Sequence, residues 1–122
     1  MKSYTDLEQS RKLAKILPPE SADMEYLSIK ENGAFVGAVP FVKDDSEVED
    51  SAYSHIYDRI SCWSLAALLD ILPKIVNNET LFIETSAALW HIGYRNIYTA
   101  RTDNPVDACY EMILKLHELN LL

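Results

Sequence analysis

The dipeptide Asn32-Gly33, which separates two β-prone runs, is the feature that most constrains the fold. Asn-Gly favours the left-handed backbone of a two-residue turn that reverses one strand onto the next. Residues 24–30 and 35–42 on either side favour an extended chain. The sequence therefore predicts an antiparallel hairpin. Because Pro40 cannot donate to a ladder, its strand is expected to lie at an edge or to carry a bulge.

Two helices are predicted near the ends of the chain. Thr5, followed three residues later by Glu8, has the spacing of a capping box, and Pro18 would end that helix. Asn104 as N-cap, followed by Pro105, opens the last helix. The apolar side chains of the last helix recur at helical spacing: Val106, Cys109, Met112, Ile113, Leu116 and Leu119.

A third helix and a second strand pair are predicted between these two. Ser61 is expected to cap a helix that Pro73 ends, and its almost entirely apolar surface predicts the most buried element of the fold. Residues 80–85 and 89–99 have strand-like alternation, which slips around Asn96-Ile97. Residues 52–60 fit a helix and a strand equally and receive no assignment.

Together these signals predict one α+β domain over residues 1–122, with antiparallel β-hairpins packed against three helices in the order α-β-β-α-β-β-α. A length of 122 residues with 48% hydrophobic side chains suits a single core. The tripeptide Ile16-Leu17-Pro18 recurs as Ile71-Leu72-Pro73, each time after a predicted helix. Chance is the more common origin of three identical residues, and a helix–hairpin unit used twice is the alternative.

Charge and hydropathy restrict the setting and the partners. The net charge of −8 would repel a phosphate backbone, so direct nucleic-acid binding is not expected. Residues 44–50 hold five of the acids and read as a solvated loop. No stretch is apolar enough to cross a bilayer, residues 1–6 lack the apolar region typical of a secretory signal, and two cysteines suit a reducing compartment. We expect a cytoplasmic protein that binds no membrane.

Sequence motifs for catalysis are absent. His55, His91 and His117 are scattered without the paired spacing of metal ligands, and no phosphate or dinucleotide loop occurs. We therefore predict no metal, no cofactor and no catalytic residue. The sharpest exception is Cys62, because a thiol near the predicted helix N-terminus could become a nucleophile. A small buried apolar role is the more common one for such a cysteine.

One strand carries a candidate partner-binding surface. Aromatic and arginine side chains are enriched in binding hot spots, and the residues of this kind are Trp90, Tyr94, Arg95, Tyr98 and Arg101. A stripe with this spacing is more commonly the core-facing side of a strand. Both interpretations remain open at the level of sequence.

Three blocks of the chain resemble a family of short uncharacterised proteins from gut anaerobic bacteria and their phages or mobile elements. The blocks are LAKILP at 13–18 with SAD at 21–23, CWSLAALL at 62–69 with LP at 72–73, and NPVDAC at 104–109. The resemblance covers most of the chain and implies a bacterial or phage cytosolic setting. It transfers no catalytic residue.

The function expected from these observations is that of a non-enzymatic interaction or accessory protein, whose partner is another protein or a second copy of the chain. One alternative is an inhibitor that mimics nucleic acid through the carboxylates at 44–50. Another is a small enzyme or ligand-binding protein that uses Cys62 or a histidine in a cleft. The three differ in whether polar side chains converge in space, which a sequence does not show.

Overall fold

The computed structural model describes the backbone of residues 2–31, 34–43 and 57–122, and the side chains of 2–27, 40–43 and 59–122. The Asn32-Gly33 turn, the acidic residues 44–50, His55 and most of the unassigned segment 52–60 lie outside these ranges. The described elements are α1 Leu7–Ala14, a 3₁₀ turn Pro19–Ser21, β1 Met24–Glu31, β2 Ala34–Val42, β3 Tyr57–Cys62, α2 Leu65–Ile71, β4 Ile75–Val76, β5 Glu79–Thr80, β6 Phe82–Ser86, β7 Leu89–Gly93 and α3 Pro105–Glu118.

This architecture confirms the α+β class with antiparallel strands, and it adds three strands to the predicted order. The chain divides into two compact units, Asp6–Trp63 and Met1–Thr5 with Ser64–Leu122. Within the described ranges, every helix falls short of the length and apolar character needed to cross a membrane. The prediction of a single domain stays a prediction.

The first unit begins with α1, which is capped one residue later than predicted. The Asp6 carboxylate accepts from the Gln9 amide at 2.8 Å, and the Gln9 side chain accepts from the Asp6 amide at 3.1 Å. This is the reciprocal geometry expected of Thr5 and Glu8. That pairing was wrong because the N-cap is Asp6, one residue after the fully buried Thr5.

The sheet of the first unit has the order β2-β1-β3. β1 pairs antiparallel with β2, and among the described strands Pro40 lies on an edge strand, as predicted. β3 falls in and beyond the segment that received no assignment, and it pairs along β1 from Met24↔Cys62 to Ile29↔Tyr57. Its partner residues lie 28 to 38 positions away in sequence, so local periodicity carried no signal for it. Leu13, Leu17, Tyr26, Cys62 and Trp63 are buried in this unit.

The second unit is built around α3 rather than α2. Eight of the 14 residues of α3 are buried, whereas only Ala67 and Leu68 are buried within α2. The prediction that the leucine-rich helix would be the most buried element was therefore wrong, because Leu65 and Leu69 are only half-buried. The predicted cap was also wrong: Ser64, not Ser61, accepts from the Ala67 amide at 3.2 Å, since Ser61 belongs to β3.

The N-terminus of α3 is held as the sequence predicted. Asn104 accepts from the Asp107 amide at 2.8 Å, and Pro105 occupies the first turn. The Asp107 carboxylate also accepts from Lys2 at 2.7 Å, which ties the start of the chain to this helix. The helix ends at a left-handed Asn120, where the Leu121 amide donates to the carbonyl of Leu116 at 2.8 Å.

The recurring Ile-Leu-Pro tripeptide has the same role in both places. The Leu17 amide donates to the carbonyl of Leu13, and the Leu72 amide donates to that of Leu68. These four leucines are buried, and Leu17 and Leu72 are each followed by the proline of their tripeptide. Both tripeptides therefore follow a helix with a buried leucine, and the helix–hairpin unit used twice stays a prediction.

Two tight turns join the four strands of the second unit in pairs, one between β4 and β5 and the other between β6 and β7. Asn77 and Asn78, between β4 and β5, have φ angles of 51° and 65°, which asparagine tolerates. Ala87 and Ala88, between β6 and β7, have φ angles of 52° and 63°. Two consecutive left-handed residues form a type I′ turn, in which alanine is unusual because its Cβ crowds the backbone.

Candidate functional site

The β6–β7 hairpin gathers the side chains of the candidate site on one face. Its register places Glu84 opposite His91 and Phe82 opposite Gly93. Because neighbouring residues of a strand point to opposite faces, these four share a face, while Ile92 points to the other face and is buried. We call Phe82, Glu84, His91, Tyr98 and Arg101 the His91 cluster.

His91 is oriented by a carboxylate from the neighbouring strand. Its Nδ1 lies 3.1 Å from Oε1 of Glu84, and the imidazole side chain is 14% exposed. An ionised carboxylate only accepts hydrogen bonds, so this contact assigns the hydrogen to Nδ1. Nε2 is buried and has no hydrogen-bond partner among the residues that the structure describes. In a neutral imidazole with its hydrogen on Nδ1, the Nε2 lone pair is therefore buried.

Two aromatic rings flank the imidazole. The Phe82 ring meets it edge to face at a centroid distance of 5.1 Å, and the Tyr98 ring does so at 6.3 Å. Tyr98 remains 65% exposed. It reaches His91 because the chain turns after β7, where Tyr94 and Ile97 exchange backbone hydrogen bonds of 2.9 and 3.0 Å. The predicted slip of alternation around Asn96-Ile97 is this turn.

Arg101 completes the cluster from the far side of β7. Thr102 pairs with Trp90 through backbone bonds of 2.6 and 3.0 Å, which brings the segment alongside the strand. The Arg101 guanidinium then lies 3.8 Å from Oε1 of Glu84, and the two side chains are 42% and 52% exposed. An ion pair this open contributes at most about 1 kcal/mol to stability. The ion pair places the exposed Arg101 guanidinium beside Glu84.

The structure separates the five residues of the predicted partner-binding surface. Tyr98 and Arg101 are exposed and belong to the His91 cluster, and Arg95 is exposed in the turn. Trp90 is half-buried. Tyr94 lies in the core, where its hydroxyl donates to the Pro73 carbonyl at 2.5 Å and burial raises its pKa to about 12. The five residues therefore do not form one stripe, because the chain turns between Tyr94 and Tyr98.

Neither cysteine is placed for nucleophilic chemistry. Cys62 is fully buried and ends β3, so the expected position at a helix N-terminus was wrong. Cys109 is buried on α3, and burial raises the pKa of its thiol to about 12. His117 is exposed near the end of α3. Among the described residues, no three His, Cys, Asp or Glu side chains are grouped so that they could hold a metal.

Sequence reasoning missed Glu84 and Phe82 as members of the site. The only signal for their pairing with His91 was a reversal at Ala87-Ala88, and alanine carries no turn preference. His91 was considered alone for the same reason. Once the register is known, the seven-residue separation of Glu84 and His91 follows directly from a two-residue turn.

Comparison with protein-family models, curated proteins and solved structures found no match to this chain. The resemblance to proteins of gut anaerobes and their phages stays a prediction. Any functional conclusion therefore depends on the geometry of the described residues.

Proposed function

We propose that this protein is a non-enzymatic interaction protein that binds another protein through the exposed part of the His91 cluster. A cytoplasmic accessory role in a bacterium, phage or mobile element, as the sequence resemblance implies, belongs to the same proposal. The observation that carries it is Tyr98, a large aromatic side chain that is 65% exposed although its ring contacts His91.

The support beneath Tyr98 favours a binding role. An exposed aromatic ring without contacts would lose rotamer freedom on binding, whereas the edge contact with His91 restricts the ring beforehand. Glu84 in turn orients His91 and lies near Arg101. Tyrosine and arginine are the residue types that most often dominate the energy of a protein interface. The cluster therefore presents two such side chains beside the β6–β7 hairpin.

Local charge is also suited to protein contacts. The chain holds 19 acidic residues, yet none lies between Glu84 and Asp103, a segment that contains Arg95 and Arg101. The His91 cluster holds one carboxylate, Glu84, beside one guanidinium, Arg101, whereas the whole chain has a net charge of −8. The same argument applies to a second copy of the chain, so a homodimer remains within the proposal.

The alternatives have less support. The carboxylates at 44–50, on which nucleic-acid mimicry depended, lie outside the described residues. The ligand-binding alternative retains His91, but Cys62 is buried.

The test compares proteins retained from a lysate of the source organism by three forms of the chain. Tyr98→Ala combined with Arg101→Ala removes the exposed part of the cluster. Phe41→Ala combined with Lys12→Ala is the matched control, because it removes an exposed aromatic ring and an exposed cation from the other compact unit. Circular dichroism confirms that both variants are folded.

We expect at least one protein to be retained by the wild type and by the control but lost from the Tyr98/Arg101 variant. Sedimentation of the wild type and the variant decides whether that protein is a second copy. Equal retention of every bound protein by all three folded forms would refute the proposal.

A further inference from the structure

We propose that the outer edge of β6 binds an extended, basic segment of the partner as an added antiparallel or parallel strand. This inference rests on the proposed function and specifies the class of partner. It depends on the backbone of β6 rather than on the ring of Tyr98, so the two can fail separately.

The hydrogen bonds that β7 makes on the side away from β6 indicate which backbone groups of β6 point outward. Trp90 uses both its amide and its carbonyl to pair with Thr102, so neither is available to β6. In an antiparallel ladder, the residue opposite such a position also directs its own groups away from the shared strand. Thr85 lies opposite Trp90, and Ile83 lies two residues earlier opposite Ile92. Their amides and carbonyls therefore face away from β7.

These groups lie on an open edge. The sheet has the order β6-β7, so β6 has one neighbouring strand within the described part of the chain. No backbone hydrogen bond reaches Ile83 or Thr85 from another described segment. Ile83 is 48% exposed and Thr85 is exposed. An unpaired edge of this kind is a template for strand addition, because main-chain hydrogen bonds supply affinity and alternate side chains supply specificity.

The side chain between the two open residues selects a basic partner. Glu84 is the one charged residue of β6, and its carboxylate is 52% exposed. Its Oε1 lies 3.1 Å from Nδ1 of His91 and 3.8 Å from the Arg101 guanidinium, and the exposed part of the carboxylate is the charge nearest to an incoming strand on β6. Opposite charges on directly opposed strand residues stabilise pairing, and like charges weaken it. A lysine or arginine opposite Glu84, with apolar neighbours near Ile83, fits this edge.

A second copy of the chain fits the edge less well. β6 is five residues long, so two such edges would bury far less surface than a stable dimer needs. Pairing centred on Glu84 would also place two carboxylates opposite each other between chains that each carry a net charge of −8.

The experiment measures amide hydrogen exchange of the full chain by NMR, in the absence and in the presence of a heptapeptide of alternating valine and lysine. Exchange at Ile83 and Thr85 is expected to slow roughly fivefold at a saturating, millimolar peptide concentration, because both amides become hydrogen-bonded. A valine–glutamate heptapeptide, and a valine–lysine peptide that is N-methylated on its pairing edge, are the matched controls and should protect neither amide.

Absence of protection at Ile83 and Thr85, or equal protection by the glutamate peptide, would overturn the inference. Protection that rises with protein concentration in the absence of peptide would assign the edge to a second copy and also overturn it. A partner that is lost from the Tyr98/Arg101 variant but retained by a folded Thr85→Pro variant, which lacks the outward amide of residue 85, would contradict strand addition and leave the proposed function intact.

Discussion

Removal of the Tyr94 hydroxyl is expected to change both the stability of the protein and its dependence on pH. Tyr94 is fully buried and donates to the carbonyl of Pro73 at 2.5 Å. Tyr94→Phe leaves that carbonyl without its donor and keeps the ring in place. At pH 7 the free energy of unfolding should fall by about 1 kcal/mol, the usual net contribution of one such hydrogen bond.

The pH dependence follows from burial of the phenol. Burial raises the pKa of Tyr94 from 10.0 to about 12, so the native state holds the proton more tightly than the unfolded state. The resulting stability is complete below pH 10 and is lost as the pH rises through 12. At pH 11 the wild type should have lost about 1.4 kcal/mol through this group, since one pKa unit corresponds to about that amount. Tyr94→Phe has no such loss.

The two proteins should therefore differ in stability at pH 7 and converge near pH 11. Urea unfolding followed by circular dichroism between pH 7 and pH 11 measures the difference directly. Cys109, whose buried thiol also has a raised pKa, contributes equally to both proteins and cancels. Tyr98→Phe is the matched control, because it removes the same hydroxyl from an exposed ring. A constant difference between wild type and Tyr94→Phe at every pH would refute the reasoning.

Two further substitutions test the β6–β7 hairpin and the turn that follows it. Ala87→Asn combined with Ala88→Gly should raise the free energy of unfolding by about 1 kcal/mol, because both positions have a left-handed backbone that alanine disfavours; an unchanged or lower urea midpoint would contradict this. Gly93→Ala should lower it by about 2 kcal/mol, because the new Cβ would lie 2.6 Å from the Ile97 carbonyl oxygen. Thermal unfolding of that variant checks the second expectation, and a melting temperature equal to that of wild type would show that the turn yields easily.

The local signals of the chain predicted the fold class well. Asn104 and Pro105 begin the last helix as expected, and the stripe from Val106 to Leu116 is buried. Capping and helical periodicity depend on residues three or four apart, so they are readable without knowledge of distant contacts. The misplaced caps show the limit of that reading. Thr5 and Ser61 have capping chemistry, but burial of one and strand pairing of the other exclude them.

The candidate site was predicted only in part, for the same physical reason. Tyr98 and Arg101 could be chosen because their residue types are common in interfaces. Glu84 could not, because its position opposite His91 depends on a turn made by two alanines.

By itself, the sequence determined where the three helices and the hairpins of β1 with β2 and of β6 with β7 form, since those choices follow from local backbone preferences and from the spacing of apolar side chains. It did not determine β3, which pairs with a strand distant in sequence. Only the tertiary structure decided which surfaces are buried and which backbone edge is open. Tyr94 and Tyr98 are four residues apart and chemically identical, yet one lies in the core and the other is exposed. The turn between them reverses the direction of the chain, and no local preference of either tyrosine encodes that reversal.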